Sequence, residues 1–403
     1  MLNNWQTYLL TDISMPRQHK NLSAKNMLPE GYIVYGANGA IGFYNEYNHE
    51  EETVCITCRG ASCGNVHLTK PKSYITSNAM AINNLAENVN KKYLYYYLLN
   101  YDFKKVISGS AQPQITREKL SKVEVSVPPV KEQQKIAAIL TSVDEVIEKT
   151  ETIIAQTEKV KKGLMQELLT KGIGHTEFRE TEIGEIPKEW QVKKLSDMLA
   201  EKVIVSHLDG NHGSLYPKSN EFVNKGVPYI SANCIKYGEV EFGNAKFLPP
   251  KRANQFKKGV AVNNDVLFAH NATVGPVAVL KTELDFVILS TTLTYYRCDT
   301  SMLNPYYLYF YMQSPMFINQ YSKVMAQSTR NQVPITIQRE FFHVLPSREE
   351  QDQIVEILKS VDDKLVNEKQ KLSKLKSIKK GLMQVLLTGK IRVKVNAPEV
   401  ISS

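Results

Sequence analysis

Residues 128–174 recur without a gap as residues 346–392, at a constant offset of 218 positions, and 19 of the 47 pairs are identical. The shared cores are Glu132-Gln133, Ile136, Ile139-Leu140, Ser142-Val143-Asp144 and Lys161-Lys162-Gly163-Leu164-Met165-Gln166. Their copies are Glu350-Gln351, Ile354, Ile357-Leu358, Ser360-Val361-Asp362 and Lys379-Lys380-Gly381-Leu382-Met383-Gln384. A repeat this long at this spacing is a duplicated unit, not a solenoid of short stacked repeats. A chain ordered module, helix, module, helix presents two similar surfaces to two similar targets. That is a design for binding before it is one for catalysis.

At 403 residues the chain exceeds one ordinary core and suits two globular domains with connecting helices. A formal charge of +9 favours a polyanionic partner such as nucleic acid. No window approaches the roughly 18–20 apolar residues of a membrane span. Met1-Leu2-Asn3-Asn4-Trp5 has no charged start leading into an apolar core, so no secretory signal is read. Five cysteines, an odd number, fit a reducing cytoplasm.

In the first copy apolar residues fall at Ile136, Leu140, Val143, Ile147, Ile154, Val160, Leu164 and Leu168, with Thr150 and Thr157 filling the polar slots. The second copy has Ile354, Leu358, Val361, Leu365, Leu372, Leu375, Ile378, Leu382 and Leu386. Steps of four and three predict a coiled-coil seam, with Pro128-Pro129 and Pro346 opening each helix. Each narrow stripe needs a partner, and the other copy, returning antiparallel after an intervening domain, supplies one. Gly163 and Gly381 within this pattern each cost about 1 kcal/mol relative to alanine. A close helix crossing would explain them, as would a break before a short terminal helix.

The modules between the helices are related more loosely. Trp5-Gln6 matches Trp190-Gln191, Tyr93-Leu94-Tyr95 matches Tyr307-Leu308-Tyr309, and Ile115-Thr116 matches Ile335-Thr336. Gly60-Ala61-Ser62-Cys63-Gly64-Asn65-Val66 is set against Asn271-Ala272-Thr273-Val274-Gly275-Pro276-Val277. The runs 53–57, 260–262 and 286–289 read as strands, and the tyrosine-rich segments 93–101 and 306–312 as helices packed on a sheet. Each module is therefore α+β, and a shared frame with diverged loops is where recognition differs.

Three motifs imitate chemistry. Tyr35-Gly36-Ala37-Asn38-Gly39-Ala40-Ile41-Gly42 resembles a dinucleotide loop, with Tyr101 and Lys105 spaced like a catalytic pair, but it leads into strand-like Phe43-Tyr44 instead of a helix start. The second module places Ser231-Ala232-Asn233-Cys234-Ile235 there, without the glycines. Cys55, Cys58, Cys63 and His67 have metal-like spacing, yet Cys58, Cys63 and His67 fall opposite Ala269, Val274 and Ala278, so the frame is expected to close with no metal. Asn304-Pro305-Tyr306-Tyr307 resembles an amino-methyltransferase loop but lacks its second proline, and reads as a helix cap and first-turn proline. No catalytic constellation is read, so the chain is expected not to be an enzyme.

The order of modules and helices resembles the specificity subunit of type I restriction–modification systems. The resemblance is carried by the Glu-Gln-x-x-Ile-x-x-Ile-Leu helix starts at 132–140 and 350–358 and by the two Lys-Lys-Gly-Leu-Met-Gln runs. The linker Gly174-His175-Thr176-Glu177-Phe178 followed by Ile183-Gly184-Glu185-Ile186-Pro187-Lys188-Glu189-Trp190 adds to it. It implies two α+β target-recognition domains, at 1–127 and 190–345. The helical spacers, at 128–174 and 346–392, form an antiparallel coiled coil with pseudo-twofold internal symmetry. A linker lies at 175–189 and a flexible tail at 393–403. It implies that each recognition domain reads half of a bipartite site in double-stranded DNA. The helices set the spacer and dock two adenine-N6 methyltransferase subunits, and motor–nuclease subunits complete the complex. S-adenosylmethionine then belongs to the methyltransferases, and this chain holds no cofactor. The rivals are the recognition subunit of a type II modification enzyme and a non-catalytic scaffold for protein or RNA.

Arginine can pair with guanine, and asparagine or glutamine with adenine, by two hydrogen bonds in the major groove. The DNA-contact candidates are Arg59, Lys70, Lys72, Gln112, Gln114 and Arg117 in the first module. In the second they are Lys236, Arg252, His270, Asn271, Arg330, Asn331 and Gln332. The segments 110–117 and 328–336 are favoured as a set. If the helices act as a ruler, a heptad inserted after Ile147 lengthens the unread spacer in the recognised site, and an unchanged spacer counts against the ruler.

Overall fold

A computed structural model describes residues 4–109, 112–210 and 213–394. Residues 110 and 111 of the favoured segment, and the expected tail from 395 onward, lie outside the described residues. The chain forms two compact units, Met1–Thr152 with Gln370–Ser403, and Ile153–Lys369. Their boundaries fall inside the long helices and not at the expected junctions 127/128 and 345/346, because each helix packs its two ends into different units.

Both units use one frame. In the first, an antiparallel sheet runs Met15–Gln18, Ala79–Asn83, Val54–Thr57, Val66–Leu68. In the second, the corresponding sheet runs Ile204–Asp209, Leu293–Cys298, Val266–Asn271, Thr273–Val279. A smaller sheet contains the parallel pair Tyr32–Gly36 with Tyr74–Ile75 in one unit and Val227–Ile230 with Val287–Leu289 in the other. Terminal strands close each module, Gln6–Leu9 on Glu124–Val127 and Gln191–Lys194 on Phe342–Leu345. The tyrosine-rich helices are Lys91–Leu99 and Pro305–Tyr311, capped by the side chains of Asn90 and Asn304. Val54, Ile56, Met80 and Ile82 pack with Leu94 and Leu98 in the first core, and Val266, Phe268 and Tyr296 with Tyr307 and Phe310 in the second.

The strand register corrects the alignment of the modules. Val54 faces Leu68 as Val266 faces Val279, and Ile56 faces Val66 as Phe268 faces Val277. The hairpin tip is thus one residue longer in the first unit. Cys58 corresponds to His270, not Ala269, although His67 does correspond to Ala278. Likewise Ile115 donates to the Cys58 carbonyl as Val333 donates to that of His270, so Ile115 pairs with Val333 and not Ile335.

The long helices run Val130–Leu168 and Arg348–Leu386, each 39 residues and about 60 Å at 1.5 Å per residue. Within the first unit Asp144 pairs with Lys379 at 2.6 Å and Glu151 with Lys376 at 2.8 Å. Within the second, Glu158 pairs with Lys369 at 2.7 Å and Lys161 with Asp362. Partner numbers rise on one helix as they fall on the other, so the pairing is antiparallel. A change of helix length therefore has to be matched, after Ile147 and after Ile378, to keep this register.

Ile136, Leu140, Ile154, Ile354, Leu358 and Leu365 are buried, as are Thr150 and Thr157 in their polar slots. Val143, Ile147, Leu164, Leu372 and Leu382 are half-buried. Val160 and Ile378, equivalent apolar positions, instead stand 53% and 52% exposed, away from the seam. Neither explanation for the helical glycines holds. Both helices run unbroken through Gly163 and Gly381, and a Cβ at either would meet nothing within 4 Å.

The identical residues perform identical tasks. Gln133, wholly buried, accepts from the Asn90 amide at 2.7 Å and donates to the carbonyls of Asn88 and Pro128. Gln351 does the same with Asn304, Met302 and Pro346. Glu132 accepts from the Trp5 indole and from both ends of the Arg392 guanidinium, while Glu350 accepts from the Trp190 indole, His175 and the Ile173 amide. Burial alone would raise the pKa of Glu132, but the Arg392 and Trp5 donors outweigh it and hold the carboxyl below its ordinary value. The stretch expected to be a plain linker contains a hairpin, Phe178–Thr181 on Gly184–Pro187. Among the described residues no helix is long and apolar enough to cross a membrane.

Candidate nucleic-acid interface

Each large sheet ends in a hairpin whose tip is braced by the segment preceding the last short helix of its module. In the first unit Arg59 lies opposite Gln114 in a β-bridge, and the Gly60 amide donates to the Pro113 carbonyl at 3.1 Å. In the second unit Asn271 lies opposite Gln332, and the Ala272 amide donates to the Asn331 carbonyl at 3.0 Å. Arg59 thus corresponds to Asn271, Gln112 to Arg330, Pro113 to Asn331 and Gln114 to Gln332.

This turn needs a left-handed residue. Gly60 adopts φ +87°, which costs glycine nothing. Ala272 adopts φ +64°, where a side chain is strained by about 1 kcal/mol or more. The Asn331 amide offsets this by donating to the Ala272 carbonyl at 2.6 Å. Asn331 is thereby committed to holding the tip, a role its sequence position does not reveal.

Arg59, Gln112, Gln114 and Arg330 are exposed at these tips, and Asn271 and Gln332 are partly so. Arg117 is exposed close by, in the short helix capped by Thr116. The segments favoured from sequence are therefore brought against the hairpin tips, within the described residues.

Other candidates sit elsewhere. His270 is buried beneath the tip with Nδ1 3.0 Å from the Val333 carbonyl, so it supports the loop from inside instead of meeting a ligand. Its counterpart Cys58 is also buried, 3.1 Å from the Gln18 amide, and burial pushes its thiol pKa up. Lys70 and Lys72 follow the strand Val66–Leu68, at the end of the hairpin opposite Arg59. Lys236 pairs with Glu241 at 2.7 Å. Arg252 is tied to Glu221 at 2.5 Å and to the Leu215 carbonyl at 3.0 Å, and it stacks on Phe256. It is a brace for its loop.

A family model, the type I restriction modification DNA specificity domain, matches residues 3–159 and 187–377, so the chain belongs to that family. Among its relatives is the type I restriction enzyme MjaVIII specificity subunit of Methanocaldococcus jannaschii, 27% identical over 85% of this chain and 80% of that one. The putative MjaX specificity subunit of the same organism is 29% identical over 82% and 76%. The solved S subunit of the type I restriction–modification system of M. genitalium shares the fold, with a TM-score of 0.70 at 16% identity over 98% of this chain and 97% of that one.

The contrast between brace and tip is measurable by thermal unfolding. Arg252→Ala, which strips a charge-assisted pair and a stacked side chain, is expected to cost about 2 kcal/mol. Arg330→Ala should leave the melting temperature within a degree or two of the parent, and an equal loss in both would contradict the assignment.

Proposed function

We propose that this chain is the DNA-sequence reader of a type I restriction–modification complex, each unit reading one half of a bipartite double-stranded site with its braced hairpin tip. The observation that carries this reading is the exchange of side chains on one backbone frame. Where the first unit presents Arg59, Gln112 and Gln114, the second presents Asn271, Arg330 and Gln332. All can form paired hydrogen bonds with base edges, and their different order means different bases in the two halves. The charge of +9 supplies the phosphate attraction that is independent of sequence.

The outer face of the repeat supports a second role, docking two copies of one methyltransferase subunit. Lys162, Gly163 and Gln166 are exposed, and so are Lys380, Gly381 and Gln384, and among the described residues a Cβ at either glycine would meet nothing within 4 Å. Val160 and Ile378 add matching exposed apolar groups one helical turn earlier. In the second unit this face adjoins a groove of about 270 Å³ lined by Lys162, Met165, Gln166, Pro315 and Ile318. A glycine on an open helix face lets a partner helix approach closely. In this reading the partners bind S-adenosylmethionine and methylate adenine N6, this chain selects the sequence, and motor–nuclease subunits add restriction.

Adenine methylation mapped by long-read sequencing, in cells expressing this chain with and without its candidate methyltransferase, tests the function. A split motif methylated on one adenine per strand, only when both are present, is expected. No new methylation from two folded proteins would overturn it in favour of a scaffold, and one large catalytic partner per chain would indicate a type II system. Docking is tested by the double variant Gly163→Leu with Gly381→Leu. Removing two helical glycines should raise stability by about 1 kcal/mol each in denaturant unfolding. The same variant should lose co-purification of the methyltransferase, and full retention would rule out this face.

A further inference from the structure

The glycine turn at residues 36–39 does not hold a cofactor-binding helix; it joins the antiparallel strands Tyr32–Gly36 and Gly39–Tyr44 beside the recognition tip. Strand register identifies its counterpart. Tyr35 pairs in parallel with Ile75 and accepts from the Thr76 amide at 2.9 Å, while Ile230 pairs with Leu289 and accepts from the Ser290 amide at 2.7 Å. Gly36-Ala37-Asn38 therefore corresponds to Ser231-Ala232-Asn233, at an offset of 195, which fixes residue by residue the match expected from sequence. Both units place an exposed asparagine at the same point of the fold.

Both asparagines are wired to the tips. The Ser62 hydroxyl, within the first hairpin tip, donates to the carbonyl of Ala37, the residue before Asn38. In the second unit the Ala232 amide donates to Thr292 Oγ1 at 2.9 Å, and the Thr292 carbonyl accepts from His270, the residue before Asn271. The first turn is also held tightly: a Cβ on Gly36 would come within 2.5 Å of Ile41, and Gly39, at φ +75°, lies against His67. A side chain on such a support is presented in one place, as base reading requires.

Backbone conformation does not account for asparagine here. Neither Asn38 nor Asn233 is among the non-glycine residues at positive φ, where asparagine is favoured. The Asn38 amide has no hydrogen-bond partner among the described residues. Asn233 Oδ1 accepts from the Ser231 hydroxyl at 2.5 Å and, more weakly, from the Cys234 thiol at 3.8 Å, which orients the amide and leaves its NH2 group for a ligand. An asparagine amide accepts from adenine N6 and donates to N7 in the major groove.

We infer that Asn38 and Asn233 are a matched pair of specificity-determining residues, each reading one adenine in its own half-site from the turn beside the hairpin tip. This rests on the DNA-reading function proposed above. Methylation motifs are mapped for the parent, Asn38→Ala and Asn233→Ala, each with the methyltransferase, and each variant's melting temperature is checked against the parent. A lost bidentate pair corresponds to about 5- to 150-fold in base preference. The expected result is that Asn38→Ala relaxes one adenine position in one half-site to near parity while the other half stays intact, and Asn233→Ala does the converse. Unchanged motifs in both variants, or methylation lowered evenly at all sites with no position relaxed, would overturn the inference while the parent motif still stands. Absence of any motif in the parent would instead remove the DNA-reading function on which it rests.

Discussion

The whole arrangement depends on a buried glutamine at the foot of each long helix. Gln133 satisfies one backbone amide and two carbonyls, and Gln351 repeats the pattern. Removing either side chain would strand the buried carbonyl of Pro128 or Pro346, at about 1–3 kcal/mol, and break two part-buried bonds beside it. The same helical turn carries Glu132 or Glu350, which fixes the tryptophan that opens the module. Helix start, first strand and tyrosine-rich helix are thereby locked together in each unit.

The second consequence of the repeat is reciprocity. In the first unit Lys379, from the second copy, meets Asp144 of the first, and Tyr96 donates to that aspartate at 2.9 Å. In the second unit Lys161 meets Asp362, and Tyr309 donates to it at 3.1 Å. Each copy gives the lysine end of its helix to one unit and the aspartate end to the other. One duplicated segment therefore supplies two unlike ends, which explains identity at both extremes of the repeat and divergence in its middle.

Much of this was legible in residue order. The seam followed from the spacing of Ile136, Leu140, Thr150, Ile154 and Thr157, because helical period and burial are tied by geometry. The kinship of the segments that brace the hairpin tips was legible too, in Gln112, Gln114, Arg330 and Gln332, since they precede the closing helix and strand of each module. Val160 and Ile378 were misread because an apolar residue fits a heptad pattern whether it is buried in the seam or exposed. The offset between modules was misjudged at Cys58 because a one-residue difference in a hairpin tip leaves no mark in composition, and at Ile115 because the Ile-Thr pair recurs two residues beyond its structural counterpart.

The sequence by itself determined the duplication, the antiparallel helix pair and the α+β class, because these rest on periodicity and on contacts repeated along the chain. Only the tertiary structure decided which polar side chains remain free for a ligand. Arg252 and Arg330 are indistinguishable as letters, yet Glu221 and Leu215 hold the first while the second stays exposed. His270 is taken out of contention by Val333, 63 residues away. The match of the segments that carry Asn38 and Asn233 was legible in residue order, and strand register fixes it residue by residue. Hydrogen-bond partners brought from distant positions settle availability, and no local pattern encodes them.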